Sequence, residues 1–314
     1  MIQALHQAFS IKDLGSLNYF LGIEATRGPH GLFLCQQKYI LDLLLKTNMD
    51  QAKPCRTPMA SNLKLPKNVG DPFQDVTLYQ STVGALQYLT FTRPDISFSI
   101  NKVCQYMQQP IDVHWTTVKR ILRYLKFTID HGILIKPSTN IQLYAFTDAD
   151  WDGCPNDRRS QGGHCLYLSP NLISWSSKKQ ATVSKSSIEF EYRGIAYATA
   201  EVTWTQSLLK ELQVSLAEPL ILWCDNLGAT YLTTNPIFHA RMKHIEIDFH
   251  FVHEKVANKD IDIRFISSRD QTADIMTKPL GIARHTLLRN KVTVSPRSLS
   301  LRGPITAHKS SSHT

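Results

Sequence analysis

No apolar run in this 314-residue sequence approaches the roughly 20 residues that a membrane-spanning helix needs. No membrane partner is therefore expected. The opening stretch from Met1 to Asp13 has no basic segment followed by an apolar one, so no secretory signal is visible. Cysteine is sparse. Six thiols (Cys35, Cys55, Cys104, Cys154, Cys165, Cys224) lie far apart, with no CxxC pair. That excludes a Cys-rich zinc ribbon and gives no disulfide framework, so reduced thiols in an intracellular chain are expected, with nothing to separate cytoplasm from nucleus. Acidic residues are absent from Gly281 to Thr314, where six basic residues stand alone. The first 280 residues carry 29 basic against 26 acidic groups, so they hold only +3 of the net +9. Nucleic-acid binding by the body of the chain must come from local clusters rather than overall basicity.

What is present is a soluble-type composition, 42% hydrophobic and 19% charged, long enough for roughly two domains. From Tyr19 two short apolar runs flank Arg27-Gly28-Pro29-His30-Gly31, the pattern of a β-hairpin. Residues 51–75 hold Pro54, Pro58, Pro66 and Pro72 and read as a linker. Helices are expected near 77–91, from Arg93-Pro94-Asp95 onward, and along Val118, Ile121, Leu122, Leu125 and Ile129, with Lys119, Arg120, Arg123 and Lys126 off that apolar stripe. After Pro137 the pattern changes. Strands are expected at 141–147, 163–168, 172–176, 219–224 and 261–266. Helices are expected at 187–200 with a second segment to 213, at 227–234, 244–256 and 271–278. Three consecutive strands followed by alternating helices and strands predict an α/β fold with a mixed five-stranded sheet and helices on both faces. The Ser/Pro/Arg-rich residues from about 295 predict disorder.

Phosphodiester chemistry uses carboxylates that hold two metal ions about 4 Å apart. Four acids occupy suitable places: Asp148 at the end of the first strand of this sheet, Glu191 on the helix after the third, Asp225 at the end of the fourth, and Asp274 at the start of the last helix. Asp148, Asp150, Asp152 and Gly153 also spell the opening of an EF-hand loop. The twelfth position, where such a loop needs Glu, is Arg159, and a strand precedes it, so that reading is rejected. Ser186 and Glu189 form a capping-box pattern, which gives Glu189 a structural role and leaves Glu191, about 200° around the helix, as the ligand. His239, His244, His250 and His253 have no paired CxxC and are not read as a zinc site.

Several long motifs carry a resemblance. Phe146-Thr-Asp-Ala-Asp-Trp-Asp-Gly-Cys-Pro, Ile173-Ser-Trp-Ser-Ser-Lys-Lys-Gln, Glu191-Tyr-Arg, Leu222-Trp-Cys-Asp-Asn, Lys243-His-Ile-Glu-Ile and Ala273-Asp-Ile-Met-Thr-Lys-Pro-Leu resemble the ribonuclease H domain of copia-type LTR retrotransposon Pol polyproteins. Lys12-Asp-Leu-Gly-Ser-Leu-Asn-Tyr-Phe-Leu-Gly-Ile-Glu and Val83-Gly-Ala-Leu-Gln-Tyr-Leu-Thr-Phe-Thr-Arg-Pro-Asp-Ile resemble the end of that family's reverse transcriptase. The chain departs from the family at Ile188, Phe190, Asp152, Leu227-Gly228 and Phe127; a Thr is usual at 188 and a Ser at 228.

The resemblance implies a ribonuclease H-like fold in residues 141–280, preceded in 1–135 by the primer-grip-like hairpin, linker and helical thumb or connection, and followed by a basic tail in 281–314. It implies an endoribonuclease acting on the RNA strand of RNA–DNA hybrids. Its metal ligands would be Asp148, Glu191, Asp225 and Asp274, binding two Mg²⁺, with Mn²⁺ a possible substitute. Arg158, Arg159, Lys178, Lys179, Lys185, Arg241 and Lys243 would flank the cleft where phosphates run. The family's polymerase needs a Tyr-x-Asp-Asp hairpin, and no Asp-Asp dipeptide occurs in this chain. The expectation is a chain without polymerase activity whose natural partner is the reverse transcriptase region N-terminal to it. A non-catalytic remnant that at most binds nucleic acid is the alternative.

Overall fold

The structure, a computed structural model, describes residues 15, 17–61, 63, 65–67, 69–150, 157, 159–184, 186–216, 218–234 and 245–297. The expected site residues Arg158, Lys185, Arg241 and Lys243 lie outside the described residues.

Strands β1 (Tyr19–Phe20), β2 (Ile23–Gly28) and β3 (Gly31–Cys35) form the expected hairpin. Gly28 pairs with Gly31 around Pro29-His30. Gly31 has φ 130°, and a Cβ there would run into the Ile135 carbonyl, so only glycine fits. Strand β4 (His131–Ile135) pairs with β3. It is a strand that the sequence pattern does not announce.

Helices α1 (Gln37–Lys46), α2 (Val76–Leu89), α3 (Ser97–Cys104) and α4 (Asp112–Phe127) share one core, built around Ile40, Leu44, Leu86, Val118 and Leu122. Asp75 caps α2, accepting from the Leu78 amide at 2.8 Å. Two arginines off the apolar stripe of α4 tether the proline-rich linker: Arg120 donates to Thr57 Oγ1 at 2.8 Å and Arg123 to the Lys53 carbonyl at 2.5 Å.

The second sheet follows the order β7-β6-β5-β8-β9, with β5 (Leu143–Asp150), β6 (Gln161–Leu168), β7 (Asn171–Lys179), β8 (Leu220–Cys224) and β9 (Ile261–Phe265). The first three strands are antiparallel, while β5–β8 and β8–β9 are parallel. This is the mixed five-stranded, ribonuclease H-like arrangement that was expected. Period-2 alternation decides the faces. Leu143, Ala145 and Leu166 point to α5 (Ser187–Glu211), α6 (Leu227–Thr234) and α7 (Glu246–Ala257). Tyr144, Phe146, Cys165 and Tyr167 point to the opposite face, toward α8 (Asp274–Thr277) and α9 (Ile282–Lys291). Helix α5 is one continuous element rather than two segments. Ala198, Val202, Thr205 and Leu209 keep one buried stripe through the expected break. Among the described residues no helix is long and apolar enough to cross a membrane.

The expected basic tail needs correction. Residues beyond 281 begin with α9, and β10 (Val294–Pro296) pairs with β4 to complete the first sheet. Disorder from about 295 does not hold through Arg297, whose amide donates to the Asp130 carbonyl and whose guanidinium donates to Thr26 Oγ1, both at 2.9 Å. The physical reason is non-local. Leu288, Val292 and Val294 are fully buried, and β4 offers an edge that a three-residue strand can join without any periodicity of its own.

Candidate active site

The four acids come from four elements. Asp148 lies near the C-terminal end of β5, Glu191 in the second turn of α5, Asp225 immediately after β8, and Asp274 at the start of α8. Two glycines let the helices approach β5 from its two sides. A Cβ on Gly194 would lie 3.2 Å from Thr147 Oγ1, so α5 packs tightly on the strand next to Asp148. Gly163, opposite Asp148 in the β5–β6 register, would place a Cβ 2.5 Å from Met276 Cβ, so α8 descends onto the sheet there.

Ligand atoms of Asp148, Asp225 and Asp274 all lie within 4.8 Å of one another, and so do those of Glu191, Cys224 and Asp225. Asp225 belongs to both groups. Ser268 Oγ donates to its Oδ2 at 2.9 Å, and Gln271 Nε2 to its Oδ1 at 3.4 Å. Gln271 also donates to the Thr147 carbonyl at 2.9 Å, which ties the loop before α8 to β5.

Asp148 is buried and accepts from Thr277 Oγ1 and, at 3.2 Å, from Lys278 Nζ. Burial pushes its carboxyl up to about 6 despite the opposing Lys278. The Lys278 ammonium also contacts Asp274 at 2.8 Å, and Arg284 holds the other Asp274 oxygen at 2.9 Å.

Glu191 is buried, and its Oε2 has no hydrogen-bond partner. Burial, with Asp148 and Asp225 beside it, pushes this carboxyl to about 10. An acid held protonated by its surroundings, with a partnerless buried oxygen, is a group that a cation would satisfy. The donor set of carboxylate oxygens is the chemistry that Mg²⁺ and Mn²⁺ prefer, so the residues fit such ions. Burial also pushes the Cys224 thiol well up, which makes it a poor ligand.

Ser186 caps α5, accepting from the Glu189 amide at 3.2 Å. The Glu189 carboxylate itself forms a buried pair with Arg193 at 2.9 Å. Of the expected phosphate contacts, Arg159 and Lys178 are exposed. Lys179 is drawn to Asp157 at 2.8 Å and to Gln105 at 3.0 Å.

Lys278 and Arg284 are parts of the cluster that the sequence reading passed over. Lys278 stands four residues after Asp274, a spacing that signals a helical ion pair. Arg284 was hidden among the charges counted as tail.

No family model matches the chain. Over 280 residues, 89% of its length, the chain is 50% identical to the retrovirus-related Pol polyprotein from transposon RE2 of Arabidopsis thaliana, covering 19% of that protein. It is 35% identical over 283 residues, 87% of its length, to the retrovirus-related Pol polyprotein from transposon TNT 1-94 of Nicotiana tabacum, covering 21% of it. The chain spans about a fifth of the length of these curated relatives. Among solved structures it is similar to LC11-RNase H1, isolated from compost, with 13% identity, 43% of this chain and 92% of that chain covered, and a TM-score of 0.35.

Proposed function

The chain belongs to the copia-type, retrovirus-related Pol polyproteins of transposons, and from that premise we propose that it is a metal-dependent endoribonuclease acting on the RNA strand of an RNA–DNA hybrid. The observation that carries this is the convergence of Asp148, Glu191, Asp225 and Asp274 from four elements, with Asp225 common to two groups of ligand atoms. These four residues would hold two Mg²⁺. When bound, such ions supply an activated water and stabilise the leaving oxygen.

The chain's own residues do the positioning. Thr277 fixes Asp148, Ser268 and Gln271 orient Asp225, and Arg284 holds Asp274. Exposed Arg159 and Lys178 are the described cations that would meet phosphates, joined by Arg158, Lys179, Lys185, Arg241 and Lys243 as the family resemblance implies. Residues 1–135 would serve as the end of the reverse transcriptase and work with the polyprotein region N-terminal to it. The choice of hybrid as substrate rests on family membership.

The test is cleavage of an end-labelled RNA–DNA hybrid in Mg²⁺ by the wild type and by Asp225→Asn. The variant should fold normally and lose cleavage by on the order of a hundredfold or more, because one carboxylate serves both ion positions. Wild-type cleavage by Asp225→Asn at saturating Mg²⁺ would overturn the assignment.

A further inference from the structure

We propose that Lys278 is a built-in counter-cation of the acidic cluster, whose ammonium holds one divalent-ion position until an ion displaces it. This rests on the metal-dependent reading above. The Lys278 ammonium lies 3.2 Å from Asp148 Oδ1 and 2.8 Å from Asp274 Oδ1. These carboxylates and Asp225 form a group whose ligand atoms lie within 4.8 Å of one another. The other oxygen of Asp148 accepts from Thr277 and that of Asp274 from Arg284, so a Mg²⁺ ion, which bonds oxygen at about 2.0–2.1 Å, meets the ammonium at the two oxygens that remain. Two cations cannot share that space, and binding at this position becomes an exchange.

The neighbouring cation behaves differently. Arg284 is anchored on the carbonyls of Ser268, Arg269 and Gln271 as well as on Asp274 Oδ2. It keeps Asp274 in place whatever Lys278 does. Lys278 has no such anchor: its ammonium bonds only the two carboxylates among the described residues. Its backbone has left the helix, with φ −125° and ψ 145°, as the following Pro279 favours. The side chain is 33% exposed, so its four-carbon stem can swing into solvent.

The second ligand group, Glu191 with Cys224 and Asp225, contains neither carboxylate that Lys278 holds. The two ion positions are therefore unequal. Only the Asp148–Asp274 side fills against a resident ammonium. In the metal-free chain the ammonium offsets the repulsion of the carboxylates and lets the cluster stay assembled.

The experiment is a titration of the whole chain with Mn²⁺, reading free ion by electron paramagnetic resonance, with no substrate present. Wild type should show a tight and a weak site. Lys278→Met should tighten the weak site about tenfold, at the low end of the range for coupled sites. Lys278→Arg, which keeps a cation, should stay close to wild type. Lys291→Met removes a cation that pairs with Asp270 at 3.6 Å and should leave the weak site unchanged.

Equal or weaker Mn²⁺ binding by Lys278→Met overturns the role of Lys278 and leaves the metal site standing. The same tightening in Lys291→Met also overturns it, because the effect is then one of net charge. Failure of wild type and Lys278→Met alike to bind Mn²⁺, or full binding by Asp225→Asn, overturns the metal site and the Lys278 role together. If Lys278→Met does not fold by circular dichroism, Lys278→Gln takes its place with the same outcomes.

Discussion

Glu189 and Glu191 are two residues apart on α5, and both are buried, yet their surroundings assign them opposite work. Glu189 neutralises Arg193, with 2% and 10% of the two side chains exposed. Removing one partner of such a buried pair leaves the other uncompensated, at a cost of about 3 kcal/mol. That exceeds the roughly 1 kcal/mol expected from a helix cap alone. Glu189→Gln should therefore melt well below wild type and still cleave hybrid in its folded fraction. Glu191→Gln should do the reverse. A neutral amide resembles the protonated acid that the site favours, so in Mg²⁺-free buffer its melting temperature should equal or exceed wild type while cleavage is lost. Thermal melts and cleavage assays on the two variants would redraw the site around Glu189 if the pattern came out inverted.

His164 gives a second prediction at this scale. Burial, aided by Lys178 and opposed by Glu201, pulls its imidazole down to about 4, and its Nε2 has no partner. A free histidine titrates near 6.5, so the unfolded chain takes up this proton first as pH falls. The stability due to neutral His164 is complete above about 6.5 and is lost toward 4, up to about 3 kcal/mol. His164→Leu removes that titration. Its melting temperature relative to wild type should rise as pH is lowered from 7 to 4.5, and parallel curves for the two proteins would refute the idea.

At the scale of elements, the junction of α5 with α6 shows how two departures from the family pattern belong together. Asn226 caps α6 by accepting from the Ala229 amide at 2.9 Å. Gly228 follows, where a Cβ would sit 2.9 Å from Ile188 Cδ1 and 3.0 Å from its Cγ1. The bulky Ile188 of α5 thus takes the space that a serine at 228 would need. Gly228→Ser should destabilise the chain, and Ile188→Thr should relieve it. A double-mutant cycle by denaturant unfolding should give a favourable coupling of about 1 kcal/mol. Strict additivity would mean that the two positions do not constrain each other.

At the scale of the whole molecule, the C-terminal segment joins the two sheets. Leu288 packs in a cluster that includes Ile133 of β4, Cys165 and Tyr167 of β6, Met276 of α8 and Val294 of β10. His285 lies edge-on to Tyr124 with ring centroids 5.3 Å apart. It thereby meets the buried network in which Arg93 pairs with Asp95 at 2.8 Å and Tyr124 donates to Asp95 at 2.6 Å. Arg93 and Tyr124 hold the Asp95 carboxyl well below the usual range against the pull of burial. Leu288→Ala should cost about 3 kcal/mol. Hydrogen-exchange protection should fall in β4 and in β6–β7 together. A loss confined to one sheet would show that the halves are energetically separate.

The order of elements in the second sheet, the hairpin, the helices between Val76 and Phe127 and the placement of the four acids at element ends were legible in the sequence. Each depends on local signals: period-2 and period-3.6 apolar spacing, a capping serine, and carboxylates at element ends. Where α8 sits against β6, where the chain after Gly281 goes, and which cations enter the acidic cluster were decided by tertiary structure. Gly163 looks like any strand glycine until Met276 rests on it. Val294 lies in a segment without periodicity until β4 offers it an edge. Lys278 and Arg284 read as surface charge until packing brings α8 and α9 against Asp148 and Asp274. Sequence spacing sets which face a side chain takes on its own element, but which distant face it meets is fixed only when the sheets and helices close on one another.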